Sequence, residues 1–67
     1  MTANRHYRCY FTDADDKIRA VDQILSENDA DAALQVDRLL LTSQHESAEL
    51  WQSNRLVGKW ANGTKVG

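Results

Sequence analysis

The sequence predicts a small two-layer α+β domain of order ββαββ, an antiparallel sheet packed on one helix. Three observations predict it: an aromatic segment of alternating character closed by an Asp-rich run, a central cluster of capping residues followed by helix formers, and two short apolar runs around Ser53-Asn54.

The first strand is read over His6 to Thr12, whose aromatic residues suit a pleated, half-buried surface. A period of two sends Tyr7, Cys9 and Phe11 one way and Arg8 and Tyr10 the other. Asp13-Ala14-Asp15-Asp16 then supplies side chains that bond nearby backbone amides, which predicts a hairpin turn. The return strand is Lys17 to Leu25; its Ile18, Val21 and Ile24, three apart, would equally suit a helix, and adjacency to the turn decides for a strand.

Ser26-Glu27-Asn28-Asp29 marks a helix start, and Asn28 with Asp31 resembles a capping box that has Asp in place of Glu. The helix is read from Asp29 to Leu41, with acidic residues in its first turn and Arg38 near its end, as the helix dipole favours. After the polar stretch Thr42 to Ser47, the strands Ala48 to Gln52 and Arg55 to Trp60 flank a two-residue turn. The ordered core is expected over about 6–60 of a single domain, 1–67. The tail 61–67 is expected to fray, with Asn62-Gly63 able to form one further turn.

A chain of 67 residues buries only about 60% of its unfolded surface, so it needs help to be stable. Cys9 is the lone cysteine, which removes an internal disulfide, fits a reducing compartment and reads as a small buried apolar residue. His6 and His45 are far apart and lack the close His or Cys companions of a zinc site, so no metal and no cofactor is expected. No apolar run approaches the ~20 residues of a membrane span, and no signal-peptide core is visible, so the expectation is a cytoplasmic protein with no membrane partner.

Both faces of the predicted sheet carry apolar groups. On the helical wheel Ala30, Ala33, Leu34, Val36, Leu39, Leu40 and Leu41 spread over more than half the circumference, leaving Asp31, Gln35 and Arg38 as the polar side. A two-residue turn at Ser53-Asn54 places Trp51, Leu56 and Trp60 on one face and Leu50 with Val57 on the other. One helix covers one face, so a second copy of the chain, giving a homodimer, is the simplest cover for the other; the alternatives are a foreign protein partner or apolar residues scattered on the surface. The candidate interface is Tyr10, Trp51, Leu56, Val57 and Trp60.

Catalytic patterns are weak. The acidic run lacks the glycine of a calcium loop and has Ile24 where the twelfth-position glutamate would stand. Ser43-Gln44-His45-Glu46-Ser47 brings nucleophile and base types together in a polar loop with no scaffold, and an exposed Asp cluster does not separate carboxylate pKa values. The chain is therefore read as a non-catalytic, self-associating interaction module. The alternative is a single-stranded nucleic-acid-binding domain that stacks bases on sheet aromatics, with Arg8, Arg19, Arg55 and Lys59 as its contacts. Against nucleic acid stand the net charge of −2 and the missing glycine-aromatic signature.

The segments Tyr7-Arg8-Cys9-Tyr10-Phe11, Asp13 to Asp16, Ile18-Arg19 and Glu49-Leu50-Trp51-Gln52-Ser53-Asn54-Arg55-Leu56-Val57 together resemble a group of short, uncharacterised alphaproteobacterial proteins. The resemblance covers roughly residues 7 to 57 and implies a bacterial domain with two hairpins, and no activity. It also implies glycine where this chain has Asp16 and Ser53.

Overall fold

Strand β1 (Arg5–Thr12) organises the molecule: it buries Tyr7, Cys9 and Phe11 on one side, exposes His6 and Arg8 on the other, and leaves Tyr10 there half-buried. A computed structural model of the chain describes residues 4–67, so the first three positions of the 1–67 domain lie outside the described residues. The remaining elements are β2 (Ile18–Ser26), α1 (Asp29–Thr42), β3 (Ser47–Gln52), β4 (Arg55–Ala61) and β5 (Thr64–Lys65). They form one antiparallel sheet in the order β2-β1-β3-β4-β5, with α1 on one face. The fold is the two-layer α+β arrangement expected, with a fifth short strand added.

The sequence predicted two hairpins within one antiparallel sheet but not which strands join them; the structure pairs β1 with β3, Cys9 opposite Leu50 and Phe11 opposite Ala48. β2 and β3 thus run parallel on either side of β1, and α1 is the crossover between them.

Three turns depend on the left-handed region. Asp16, Ser53 and Asn62 have φ of 61°, 55° and 55°, followed in the last case by Gly63 at 77°. Asp16 and Ser53 are the two positions at which the resemblance implies glycine, and a Cβ makes that backbone costlier there. In the first turn Asp13 offsets the cost: its Oδ1 accepts from the amides of Asp15 (2.9 Å) and Lys17 (3.1 Å), and its Oδ2 from Arg19 Nε (2.6 Å). Asn62-Gly63 forms the further turn, and the tail then pairs back, Val66 N–H donating to the Lys59 carbonyl at 2.7 Å.

Asn28 caps α1 as expected, its side-chain oxygen accepting from Asp31 N–H at 2.8 Å. The reciprocal half of the box differs: Asp31 accepts from Ser26 Oγ (2.7 Å) and Gln35 Nε2 (3.1 Å), which ties the helix start to the end of β2. The helix runs one residue past Leu41, so Arg38 precedes a last turn that has no basic residue. Its buried stripe is narrow: Ala32, Val36 and Leu40, with Ala33 and Leu39 at the margin. Leu34 and Leu41 project to solvent, Leu41 being 85% exposed.

The second hairpin corrects the expected faces. Gln52 opposes Arg55 and Trp51 opposes Leu56, as a two-residue turn requires, but Leu50 then opposes Gly58. Val57 is the extra residue of a β-bulge, which shifts the phase of the rest of β4 by one. Trp60 therefore turns away from Trp51 and Leu56 and lies opposite Ala48, in the core at 1% exposure. Its indole N–H donates to Asp37 Oδ1 at 2.6 Å, which satisfies the one polar atom of the ring. Val57 also packs against the core cluster, so neither of these two candidate interface residues lies on the open face.

Candidate interaction face

The face of the sheet opposite α1 has no covering layer among the described residues. Antiparallel register carries its side chains into contact strand by strand. Tyr10 stands between Val21 and Glu49, Arg8 between Gln23 and Trp51, and His6 beside Leu25. On the far side Trp51 opposes Leu56 and Glu49 opposes Lys59. Val21, Leu25 and Leu56 are about half exposed, at 55%, 53% and 47%, and Tyr10 and Trp51 are half-buried. The result is an apolar and aromatic band running obliquely across β2, β1, β3 and β4, with charged groups between.

Trp51 Nε1 donates to Glu49 Oε1 at 3.0 Å. These residues are two apart on one strand and so share a face. The contact ties the indole to its own strand and leaves the ring flank available.

Of the proposed interface residues, Tyr10, Trp51 and Leu56 come together on this face, whereas Val57 and Trp60 turn to the core. Of the four cationic candidates, Arg8 and Lys59 lie on the open face. Arg19 is held by Asp13 at 2.6 Å. Arg55 forms a two-pronged pair with Asp29, Nη1 to Oδ2 at 3.0 Å and Nη2 to Oδ1 at 3.1 Å, and also donates to Gln52 Oε1. Sequence reasoning missed Gln23 and Leu25 on this face; alternation from Val21 would have placed both there once β2 was known to pair with β1.

Titration follows from these contacts. The amide of Lys17 and the guanidinium of Arg19 hold the Asp13 carboxyl below its ordinary value. Hydrogen bonds from Arg55 and Tyr7 do the same to Asp29. Burial, with a smaller contribution from the charge of Asp22, pushes the Cys9 thiol up to about 12, so it stays protonated and packs as an apolar group. His45 stacks on Phe11 with ring centroids 4.8 Å apart and 18° between planes, while its amide donates to Ser43 Oγ. The imidazole thereby packs the polar loop against the core through Phe11.

No protein-family model, curated protein or solved structure matches the chain. Among the described residues no helix is long and apolar enough to cross a membrane, and no group of three or more His, Cys, Asp or Glu is placed to hold a metal ion. Fold and surface together define a small α+β domain whose sheet, among the described residues, is covered by α1 on one face.

Proposed function

We propose that this chain is a non-catalytic interaction module of the cytoplasm that associates with a second copy of itself through the open sheet face. The observation that supports the reading is the diagonal array of Val21, Tyr10, Trp51 and Leu56 across four strands, with Arg8 and Glu49 interleaved. Strands ~4.8 Å apart, rising ~3.3 Å per residue, give four strands of this length a projected face of roughly 500 Å². Accessible area exceeds projection, so the face approaches the ~800 Å² per partner of a standard interface. The fully buried thiol of Cys9 suits a reducing compartment, since it needs no pairing.

A face buried between copies makes stability depend on concentration by mass action. Light scattering should give a mass above 7.6 kDa at high micromolar concentration, and Tm should rise with concentration. A monomer mass with a constant Tm would remove this reading.

The nucleic-acid reading is supported by one observation, Arg8 directly across from Trp51 on the open face and in no ion pair among the described residues. Fluorescence titration of the tryptophans with short single-stranded oligonucleotides at low salt distinguishes it, because base stacking on Trp51 quenches emission and self-association does not need the oligonucleotide.

A further inference from the structure

We infer that the recess on the open face bounded by His6, Arg8, Tyr10 and Ser53 is an anion site that takes a small aromatic phosphate monoester. Three of the four residues alternate along β1, so the period of two puts them on one face, about 7 Å from one to the next. Ser53 comes from the turn after β3. Arg8 pairs with Trp51, and continuing that register by two residues sets Ser53 level with His6. Arg8 is thus the centre of the recess, with His6 and Ser53 on one side and the Tyr10 ring on the other. The volume of about 330 Å³ lies within the range of small-molecule sites.

The donors select the ligand. Arg8 has an uncharged neighbour on each adjacent strand, Gln23 on β2 and Trp51 on β3, and is in no ion pair among the described residues. A strand arginine without a carboxylate across from it keeps its fork of N–H donors for a ligand. The imidazole of His6 and the hydroxyls of Tyr10 and Ser53 add donors around it, and no carboxylate lines the recess. Glu49, the acid across from Tyr10, is engaged elsewhere: it accepts from Trp51 Nε1 at 3.0 Å and faces Lys59. A phosphate on Arg8 accepts two parallel N–H bonds and lies within the reach of His6 and Ser53. Its ester group then falls toward Tyr10, whose ring packs best on another ring. The chain's net charge of −2 gives no long-range attraction for an anion, so binding depends on these local donors.

The site goes beyond the self-association reading and does not rest on it, because the measurement is made on dilute chain whose mass light scattering shows to be that of one copy. Amide chemical shifts are followed while phenyl phosphate, inorganic phosphate or phenol is added at constant ionic strength. Phenyl phosphate should give saturable shifts centred on His6, Arg8, Tyr10 and Ser53, with a dissociation constant of about 1 mM or tighter. Inorganic phosphate should bind more weakly at the same residues, and phenol should not bind. Arg8→Gln should weaken phenyl phosphate by about tenfold or more, the loss of a charged, two-pronged contact. Arg19→Gln removes the same charge from a side chain held by Asp13 and should leave binding unchanged. Shifts that do not saturate, or an equal loss in Arg19→Gln, would make the attraction diffuse and overturn the inference. Inorganic phosphate that binds as tightly as phenyl phosphate overturns the choice of an aromatic monoester. A short single-stranded oligonucleotide that binds where phenyl phosphate does not keeps the nucleic-acid reading and overturns this one.

Discussion

Gly58 has no side chain because the Trp60 indole occupies the space above it: a Cβ there would lie 3.0 Å from Cη2 and 3.1 Å from Cζ3 of that ring, and 3.1 Å from Lys65 Cε. Lys65 is the end of a flexible chain and can move, whereas the indole is held by its bond to Asp37 and by burial. Gly58→Ala should therefore cost about 1–3 kcal/mol, the range of an overpacked core, and urea denaturation measures it as a lowered midpoint with an unchanged slope. An unchanged midpoint would mean that the indole yields freely and does not lock α1 to β4. Residue chemistry was legible in the sequence where it is local: the alternation of Tyr7, Cys9 and Phe11 and the cap at Asn28 need only neighbours along the chain. The role of Gly58 was not, because it depends on a bulge at Val57 that no spacing announces.

At the scale of elements, the start of α1 is the junction of the two hairpins. Asp29 accepts from Tyr7 Oη of β1 at 2.7 Å and from both Nη atoms of Arg55 of β4, so one carboxylate joins helix, first hairpin and second hairpin. Its folded pKa lies below the unfolded value of about 3.9, so unfolding takes up a proton between the two. The stabilisation is fully present above that unfolded value and is lost as pH falls through the folded one. Thermal melts between pH 6 and pH 2 should show Tm declining below about pH 4. Asp13 is depressed as well and shares in that decline, so the comparison with Asp29→Asn isolates the junction: the variant should start lower at pH 6 and fall less steeply. Parallel curves would deny Asp29 this role. The sequence marked Asp29 only as an acidic residue in a helix first turn. Its partners lie 22 and 26 positions away and become visible only with the sheet order.

At the scale of the whole molecule, the pairing of β1 with β3 decides everything that local signals leave open. It converts two marginal hairpins into one sheet, puts Arg8 beside Trp51, and commits one face to α1. The two tryptophans consequently divide the labour that the sequence assigned to a single outer face. Trp60 is buried in the chain's own core, and its truncation to Ala should cost about 3–5 kcal/mol. A domain of this size holds about 3–10 kcal/mol in total, so Trp60→Ala should yield a largely unfolded chain by circular dichroism. Trp51 is half-buried on the open face, with its indole N–H on Glu49, so in an isolated copy its truncation removes only part of an aromatic burial. Trp51→Ala should keep the far-ultraviolet spectrum and lower the mass in solution, because the apolar area it deletes is the area that the proposed self-association would cover. The reverse result, an unfolded Trp51→Ala and a folded Trp60→Ala, would show that the core lies on the other face of the sheet. A Trp51→Ala chain with the parent's mass and Tm would leave the open face without a second copy as its cover.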